Sequence, residues 1–336
     1  MKSLKAGIIG LGVGESHIEA YQSHPGCEVN LICDFSDSKM SEIRERYPNI
    51  KTTKDADEIL NDPGIDIVSI ASFDNYHFEQ AVKALENQKH VFVEKPLCLY
   101  REEAVAIKEL LWKNSFLVLS SNLNLRTCPR FKNLRALIQA GEMGDVFYFE
   151  GDYLWGRMHK LTNGWRKEMP FYSLVCGAAV HMIDLLIWLV GEEPVDVKGY
   201  GNRIATQGSD FGYIDFAALL LRFENGMLAK ISANAGCVHP HFHKVTVYGT
   251  RQTFSHDLRG GQLIKSCDPS AKGEELLDDY PARKKQEVIH SFINSIINED
   301  TEAAIVPAKD IFKVMSVCFA AEESVDSNKT VLIDYI

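Results

Sequence analysis

Two side chains in this sequence have the chemistry for proton transfer, and the first is a lysine at the end of an apolar run. Lys95 stands in the stretch "HVFVEKPL", directly after the run and one glutamate. In open α/β sheets, ligands bind at the carboxyl ends of the parallel strands. A partly desolvated lysine there has a lowered pKa and can donate or accept a proton. An ordinary ion pair at a strand end is the alternative for Lys95.

The second candidate is a histidine in a strongly apolar helical stretch, "CGAAVHMIDLLIWLVG". His181 and Asp184 are three residues apart and therefore share one helix face. The remaining residues are apolar on nearly all sides, which predicts a buried helix. Polar residues on such a helix need partners or a polar cleft to face. The pair is therefore either part of a site or a core histidine satisfied by a neighbouring carboxylate.

A glycine-rich turn near the N-terminus, "KAGIIGLGVGESHI", nearly matches the dinucleotide-binding pattern G-x-G-x-x-G. Gly10 permits the tight turn after the strand, and Gly12 lets the backbone approach a pyrophosphate at the helix N-terminus. The third glycine is displaced, because Gly14 precedes Glu15 at the expected position. A carboxylate repels a pyrophosphate, so we expect Glu15 to point away from it. Gly10, Gly12, Val13 and Gly14 are the predicted phosphate contacts.

The next apolar run, "EVNLICD", ends in Asp34, where an acid would accept hydrogen bonds from the adenosine ribose. Asp34 also repels a 2′-phosphate, and no arginine stands beside it, which favours NAD over NADP. Phe35 follows and is included among the cofactor contacts. The alternative is that Asp34 only caps the following helical stretch.

The elements that must position these residues fall into two blocks. Through Asn122, short apolar runs alternate with helical patterns, which is typical of a parallel α/β sheet. After Asn122, strand-like runs are grouped, which predicts a mostly antiparallel sheet. We therefore predict a dinucleotide-binding Rossmann domain over 1–122 and an α+β domain with a large open sheet over 123–336. The second domain would bind substrate and form oligomers, and a ligand cleft is expected at the boundary.

Several helices can be bounded from local signals. The stretch 129–141 begins with Pro129 and ends at Gly141, the usual asymmetry of helix ends. Amphipathic patterns near 283–298 and 307–323 predict two more helices. The stretch "SNLNLRT" alternates polar residues, which predicts a strand face. We predict nicotinamide contacts for Asn122 and Asn124, with Asn124 also in the substrate site, and a substrate contact for Arg126; an ordinary polar strand face is the alternative.

Two further clusters stand out. The stretch "WGRMHKLTNGWRK" gathers cations and two tryptophans. We predict that Trp165 stacks on a sugar or nicotinamide ring and that Arg166 contacts an anionic group of the substrate. A solvated loop is the alternative. His239, His241 and His243 alternate and could bind zinc, but no recognised metal spacing accompanies them. A substrate-facing loop suits them better, and no metal site is predicted.

Composition excludes several classes of function. The chain has 336 residues, with 46 acids against 36 bases and a net charge of -10, which disfavours binding to nucleic acid or to an anionic membrane. Its 8 cysteines contain no C-x-x-C pair, so a reducing cytoplasmic location fits better than a disulfide framework. No apolar run approaches the ~18 residues of a membrane span, and no signal peptide is recognised.

The sequence resembles the glucose–fructose oxidoreductase/inositol dehydrogenase (Gfo/Idh/MocA) family along its whole length. The resemblance rests on "GIIGLG", "SFDNYHFEQAVKAL", "HVFVEKPL", "RTCPRFKNLRALIQAGEMGDV" and "HMIDLLIWLVGEEPVDV". It implies a nicotinamide cofactor, a sugar, cyclitol or nucleotide-sugar substrate, and a homodimer or homotetramer. It also implies active-site roles for Lys95, His181 and Asp184. The cofactor contacts it adds to the glycine loop and Asp34 are Ser72, Asn75, His77, Glu94, Lys95 and Asn122.

The chain departs from the family pattern at Gly177, where many members have an aspartate one turn before the histidine. Proton transfer would then fall to Lys95 and His181. The predicted function is a NAD-dependent oxidoreductase acting on a secondary alcohol. A catalytically silent dinucleotide-binding regulator of the same fold is the alternative, and metal-dependent hydrolysis at His239–His243 is a third.

Overall fold

The computed structural model describes residues 3–281 and 286–336, and these divide into two compact units. The first unit contains residues 3–124, 286–312 and 336. The second contains residues 125–281 and 313–335. The chain thus returns to its first unit after building most of the second.

The first unit is built on a parallel sheet of six strands in the order β3-β2-β1-β4-β5-β6. Its strands are β1 (Leu4–Ile9), β2 (Cys27–Cys33), β3 (Lys51–Thr53), β4 (Ile67–Ile70), β5 (His90–Val93) and β6 (Leu119–Ser121). The helices between them are α1 (Glu15–Gln22), α2 (Asp37–Arg46), α3 (Ala56–Leu60), α4 (His77–Glu86) and α5 (Arg101–Lys113). The strand order reverses beside β1, and such a switch point is where open α/β sheets bind ligands.

The second unit is built on a sheet of nine strands in the order β14-β13-β12-β11-β7-β10-β9-β8-β15. Only the β10–β7 pairing is parallel among its described ladders, so the sheet is mostly antiparallel, as predicted. Its strands are β7 (Val146–Leu154), β8 (Pro194–Asn202), β9 (Phe216–Phe223), β10 (Leu228–Asn234), β11 (Phe242–Gly249), β12 (Thr253–Asp257), β13 (Gly260–Ile264), β14 (Glu274–Leu276) and β15 (Thr330–Leu332). The remaining helices of the chain are α6 (Pro129–Gln139), α7 (His159–Thr162), α8 (Val180–Val190), α9 (Glu287–Ile297) and α10 (Ala308–Ser327).

The apolar helix predicted around His181 is α8, and it is buried along nearly its whole length. A π-helical turn over Val175–Ala179 precedes it, and Gly191 ends it at a φ of 76°. α8 packs against β7 of the nine-stranded sheet. Alternate residues of β7 and β11 therefore face the helix, and Tyr153 and His243 lie directly opposite each other in that register.

The local predictions agree with the structure except at the start of the second unit and at the short strands. The helix predicted over 129–141 is α6, and Gly141 has a φ of 71°. The strand predicted for "SNLNLRT" was wrong, because β6 ends at Ser121 and Asn124–Thr127 form a 3₁₀ turn. The short strands β3 and β12–β15 were not predicted. Positions 283–285 of the helix expected near 283–298 lie outside the described residues, and α9 occupies the rest.

The helix α9 completes the first unit, although it follows the second unit in sequence. Phe292 is fully buried and its ring lies 5.6 Å from the ring of Phe92 on β5. His24, just after α1, forms a hydrogen bond with Asn294 across 270 positions of the chain. Among the described residues, no helix is long and apolar enough to span a membrane.

Phe292→Ala should destabilise the protein by about 3–5 kcal/mol, because it opens a cavity between α9 and β5. The free energy of unfolding from denaturant titration measures this. Phe116→Ala is the matched control, since Phe116 belongs to the same unit but is 59% exposed, and its effect should stay below about 0.5 kcal/mol. Equal losses in the two variants would contradict the docking of α9 on β5.

Candidate functional site

The turn after β1 is shaped by two glycines whose positions admit no side chain. Gly10 has a φ of 87°, and a Cβ there would overlap the backbone at Ala71. A Cβ on Gly14 would overlap the carbonyl of Gly10. At Gly12, by contrast, nothing lies within 4 Å of the Cβ position. This open side adjoins the N-terminus of α1, where the helix dipole favours an anion, so the loop fits a diphosphate.

Asp34 holds the glycine loop from the end of β2. Its Oδ2 accepts a hydrogen bond from the Leu11 amide at 2.7 Å, and its Oδ1 accepts one from the Ser36 amide at 2.8 Å. Each carboxylate oxygen retains a second lone pair, so both can also accept from a ribose hydroxyl. Phe35, beside it, is 70% exposed and meets Phe73 edge-on, with the ring centroids 5.6 Å apart. The arrangement fits an adenosine at this end of the loop.

Glu15, which occupies the place of the third glycine, is engaged by cations of α2. Its carboxylate forms ion pairs with Lys39, at 2.5 Å, and with Arg46. Glu42 on α2 pairs with the same two cations. The charge of Glu15 is therefore compensated, and the two nearest cations are already paired with carboxylates.

A buried network connects the glycine-loop helix to the ends of β5 and β6. His17 on α1 contacts Ser69 Oγ through Nδ1 at 2.9 Å and Glu94 Oε1 through Nε2 at 3.1 Å. Asn122 donates to the same Glu94 oxygen at 2.6 Å. Burial alone would raise the pKa of Glu94, but His17, the Asn122 amide and the charge of Lys95 outweigh it and hold that pKa below its usual value. Glu94 is thus a fixed anion immediately before Lys95.

The other predicted contacts of the first unit lie after β4. The ring of His77 is fully buried and touches the backbone carbonyls of Pro96, at 2.6 Å, and Ser72, at 3.2 Å, so it connects the E-K-P turn to the β4 loop. Ser72 donates its hydroxyl proton to Gln80. Asn75 Oδ1 is buried and has no hydrogen-bond partner within the described chain. An orphaned acceptor in this loop is consistent with a ligand donor.

In the second unit, His181 on α8 stacks on Tyr153 of β7. The ring centroids are 5.6 Å apart and the planes differ by 7°. Tyr153 is buried, and burial raises the pKa of its phenol to about 12 against the opposing charges of Arg157 and Arg166. The phenol therefore stays neutral and gives His181 a flat, uncharged support.

Asp184 and Arg126 form a buried ion pair on the same side of α8. Arg126 Nη2 lies 2.6 Å from Asp184 Oδ1, and its Nε contacts both carboxylate oxygens at 3.1 and 3.2 Å. The side chains are 2% and 1% exposed. The predicted substrate contact Arg126 and the predicted catalytic Asp184 are thus brought together with each other, one turn from His181. Asn124 lies in the first unit, in the same 3₁₀ turn.

The tryptophan-rich stretch forms α7 and a 3₁₀ turn, and it gathers positive charge. The Arg166 guanidinium lies 4.2 Å from the ring centroid of Trp165 and 5.3 Å from that of Trp155. Burial, with the charges of Arg157 and Arg166, lowers the pKa of Lys160. A set of cations that repel one another favours an anion in their midst.

No group of three or more His, Cys, Asp or Glu side chains in the described parts of the chain is arranged to hold a metal ion. His239, His241 and His243 are not arranged as such a group. His241 and His243 instead meet the Tyr153 ring edge-on, with centroids 5.2 and 5.0 Å away.

Sequence reasoning did not identify His17 or Tyr153 as parts of this arrangement. His17 had a signal, because the resemblance includes a histidine after the glycine loop. Tyr153 had none, since its partners His181 and His243 are distant in sequence and it looks like an ordinary strand aromatic.

The comparisons with known proteins bear on both units. Residues 4–121 match a family model described as an oxidoreductase family with a NAD-binding Rossmann fold. Residues 131–255 match the model of the GFO/IDH/MocA C-terminal domain. The chain is 24% identical to a myo-inositol 2-dehydrogenase of Thermotoga maritima, covering 99% of each chain.

Two other relatives are more similar in identity. A levoglucosan dehydrogenase of Pseudarthrobacter phenanthrenivorans is 30% identical over 99% of this chain and 95% of its own. An uncharacterised oxidoreductase of Schizosaccharomyces pombe is 34% identical over 81% and 77%. A solved levoglucosan dehydrogenase in complex with NADH superposes with a TM-score of 0.85 at 22% identity, covering both chains fully, which shows the fold.

The resemblance and the fold class predicted from the sequence are confirmed. Both family models match in order, and one relative is 34% identical over 81% of this chain. The chain therefore belongs to the Gfo/Idh/MocA family of oxidoreductases, whose first domain is a NAD-binding Rossmann fold.

Proposed function

We propose that this protein is a NAD-dependent dehydrogenase that transfers a hydride between nicotinamide and a secondary alcohol of a sugar or cyclitol. The observation that carries the proposal is the buried network of His17, Glu94 and Asn122, which fixes the E-K-P turn beside the glycine loop. The substrate class follows relatives named myo-inositol 2-dehydrogenase, scyllo-inositol 2-dehydrogenase (NAD(+)) and levoglucosan dehydrogenase. We assign the dinucleotide to the first domain, and substrate binding to the second.

Bound NAD would supply the hydride-accepting ring, and the protein's own groups manage one proton. Lys95 and His181 are assigned to proton transfer with the substrate hydroxyl. Tyr153 supports the His181 ring, and the Arg126–Asp184 pair holds the helix that carries it. Asp184 is therefore assigned a positioning role rather than direct contact.

The preference for NAD over NADP rests on the charges around Asp34. A 2′-phosphate would meet the Asp34 carboxylate, which two backbone amides hold in place. Lys39, in the first turn of α2, could offer compensation, but Glu15 and Glu42 already pair with it. Both features disfavour NADP.

The cation cluster of Arg157, Lys160 and Arg166 supports an anionic group on the substrate. The depressed pKa of Lys160 reflects burial and two like charges, and an anion would relieve that repulsion. Sugar phosphates therefore belong beside neutral polyols in any substrate panel.

Lys95→Ala should lower turnover by about 10²–10⁴-fold, the usual contribution of a positioned acid or base. NAD binding should be largely unaffected. Absorbance of reduced nicotinamide measures turnover with NAD and a panel of myo-inositol, scyllo-inositol, levoglucosan and sugar phosphates. Lys108→Ala, at an exposed position of α5, is the matched control.

Undiminished turnover in Lys95→Ala would remove Lys95 from the chemistry. Failure of the wild-type protein to oxidise any compound, although it binds NAD, would instead favour a silent dinucleotide-binding regulator.

Asp34→Asn should weaken NAD binding and strengthen NADP binding. The ratio of the NADP Kd to the NAD Kd should fall by about tenfold, since a charged hydrogen bond is worth roughly 1.5–3 kcal/mol. Adding Glu15→Gln should narrow it further by releasing Lys39 and Arg46. Calorimetric Kd values for both dinucleotides measure this. Glu42→Gln is the comparison variant, because it neutralises a carboxylate that pairs with the same two cations. If it changes the ratio of Kd values as much as Glu15→Gln does, Glu15 has no specific role in cofactor preference.

The second domain is also assigned to oligomerisation. On the sheet face opposite α8, Leu220 and Leu228 are 48% and 39% exposed, and Tyr200 and Ile264 are 60% and 40% exposed. Tyr148 and Tyr248 stack there, with centroids 5.7 Å apart. Ion pairs stand among them on the same face, Arg222 with Asp196 and Lys230 with Asp152. A face that mixes exposed apolar side chains with paired charges suits an interface with another copy of the chain.

Leu220→Lys should shift the protein toward monomer, because it puts a third cation beside Lys198 and Lys230, the residues paired with Leu220 on the two neighbouring strands. Light scattering coupled to size-exclusion chromatography reports the mass. Leu258→Lys is the control, as Leu258 is 57% exposed but lies in the turn between β12 and β13. A wild-type protein that is monomeric at all concentrations would exclude this interface.

A further inference from the structure

The alternating histidines of residues 239–243 are not explained by metal binding, and one of them occupies a distinctive position. His243 lies at the start of β11, opposite Tyr153 in the β11–β7 register. Its ring centroid is 5.0 Å from that of Tyr153 and 6.0 Å from that of His181. His243 is therefore on the sheet face that packs against α8, the helix that carries the proposed proton-transfer histidine His181.

Tyr280 determines which nitrogen of His243 carries the proton. The hydroxyl of Tyr280 accepts a hydrogen bond from the His243 backbone amide at 3.1 Å and lies 2.6 Å from His243 Nδ1. Within the described chain this hydroxyl has no other partner, so its own proton is directed to Nδ1. Nδ1 is then an acceptor, and the hydrogen of the neutral ring is on Nε2.

The surroundings of His243 keep its ring neutral. Burial, assisted by His241 and His256, lowers the pKa of His243 to about 3. The ionisable groups that face it are Tyr153, His181, His241, His256 and Tyr280. None of them supplies a negative charge that would stabilise an imidazolium, so the same tautomer persists across the pH 5–8 range in which histidines ordinarily titrate.

Tyr280 is itself held firmly by the start of α6. Arg130 donates to the carbonyls of Leu276, at 3.2 Å, and Asp278, at 2.6 Å. Asn133 donates to the Asp278 carboxylate at 2.8 Å. The Tyr280 ring also packs edge-on against Phe131, with centroids 5.9 Å apart. The segment preceding the hydroxyl is thus anchored at several points, as expected of a group that orients another.

We propose that His243, held by Tyr280 as the Nε2–H tautomer, is a substrate-binding residue that donates a hydrogen bond to an oxygen of the polyol beside His181. The proposal rests on the proposed dehydrogenase function for its substrate. His243 is half-buried, and its Nε2 has no hydrogen-bond partner among the described residues. The Nε2–H group of His243 can donate to a polyol hydroxyl or to the carbonyl formed from it.

The tautomer is tested without any assay of activity. Two-bond proton–nitrogen NMR correlations of the imidazoles, assigned by loss of the signal in His243→Gln, should show Nε2–H and an unprotonated Nδ1 from pH 5 to 8. Tyr280→Phe keeps the ring and should abolish that preference. An Nδ1–H tautomer in the wild type, or protonation of His243 within this range, would overturn the proposal.

The contact with substrate is tested by kinetics. His243→Leu should raise KM for the polyol about 5–10-fold, as expected for one lost hydrogen bond, with a smaller change in kcat. His243→Gln, which retains an N–H donor at a similar distance from the backbone, should recover part of the loss. NADH affinity should be unchanged in both. His290→Gln is the matched control, because His290 lies on α9 of the first unit, where its ring contacts Ser23 and the Ala20 carbonyl.

The two proposals fail in different ways. If the panel contains no substrate, titration of the NADH-loaded protein with the same polyols should still move the Nε2–H signal of His243, and an unmoved signal counts against the contact. A normal KM in His243→Leu, in an enzyme that is active, refutes the role of His243 and leaves the dehydrogenase function intact.

Discussion

The buried carboxylate of Glu94 is the constraint on which the first unit's site depends. A charge in a protein interior is tolerated only when it is paired and hydrogen-bonded. Here the partners come from α1 and from the end of β6, through His17 and Asn122. Satisfying one carboxylate therefore brings the helix after the glycine loop, the E-K-P turn and the end of β6 into a single arrangement. Lys95 inherits its position from this network, because it is the next residue in the chain.

In the second unit, too, the buried polar groups are paired, some as an ion pair and others as neutral partners. Arg126 and Asp184 neutralise each other beside α8, and neither is accessible enough to be a general solvent-facing charge. Tyr280 and His243 instead satisfy each other as neutral groups. The Tyr153 ring stacks on His181 and meets His243 edge-on, so it contacts both histidines. The result is a polar face on which the Tyr280 hydroxyl fixes the tautomer of one histidine, His243.

The features that could be predicted from the sequence are those that a local residue pattern determines. The glycine loop, Asp34, the E-K-P turn and the apolar helix α8 each depend on residues close to one another in sequence. The structure confirms the turn at Gly10 and the buried helix α8, and the binding roles of these residues stay predictions. The position of α9 depends on contacts such as His24 with Asn294, which no periodicity encodes. The strand predicted through Arg126 was wrong because alternation over so few residues does not determine the backbone conformation, and the residues form a 3₁₀ turn from which Arg126 reaches Asp184. Tyr280 was not predicted either, because its role depends on contacts with His243 on β11, which is distant in sequence.

The departure at Gly177 has a structural counterpart in this chain. A Cβ at Gly177 would lie 3.0 Å from the Tyr172 hydroxyl oxygen, closer than ordinary packing allows. Tyr172 is almost fully buried, so its phenol cannot swing away without disturbing its neighbours. Gly177 also lies within the π-helical turn that leads into α8, four residues before His181. The space that a longer side chain would need is thus taken by an aromatic hydroxyl from the preceding segment. Glycine at 177 and tyrosine at 172 therefore fit together, and an acid at 177 would require the Tyr172 hydroxyl to give way by a few tenths of an ångström.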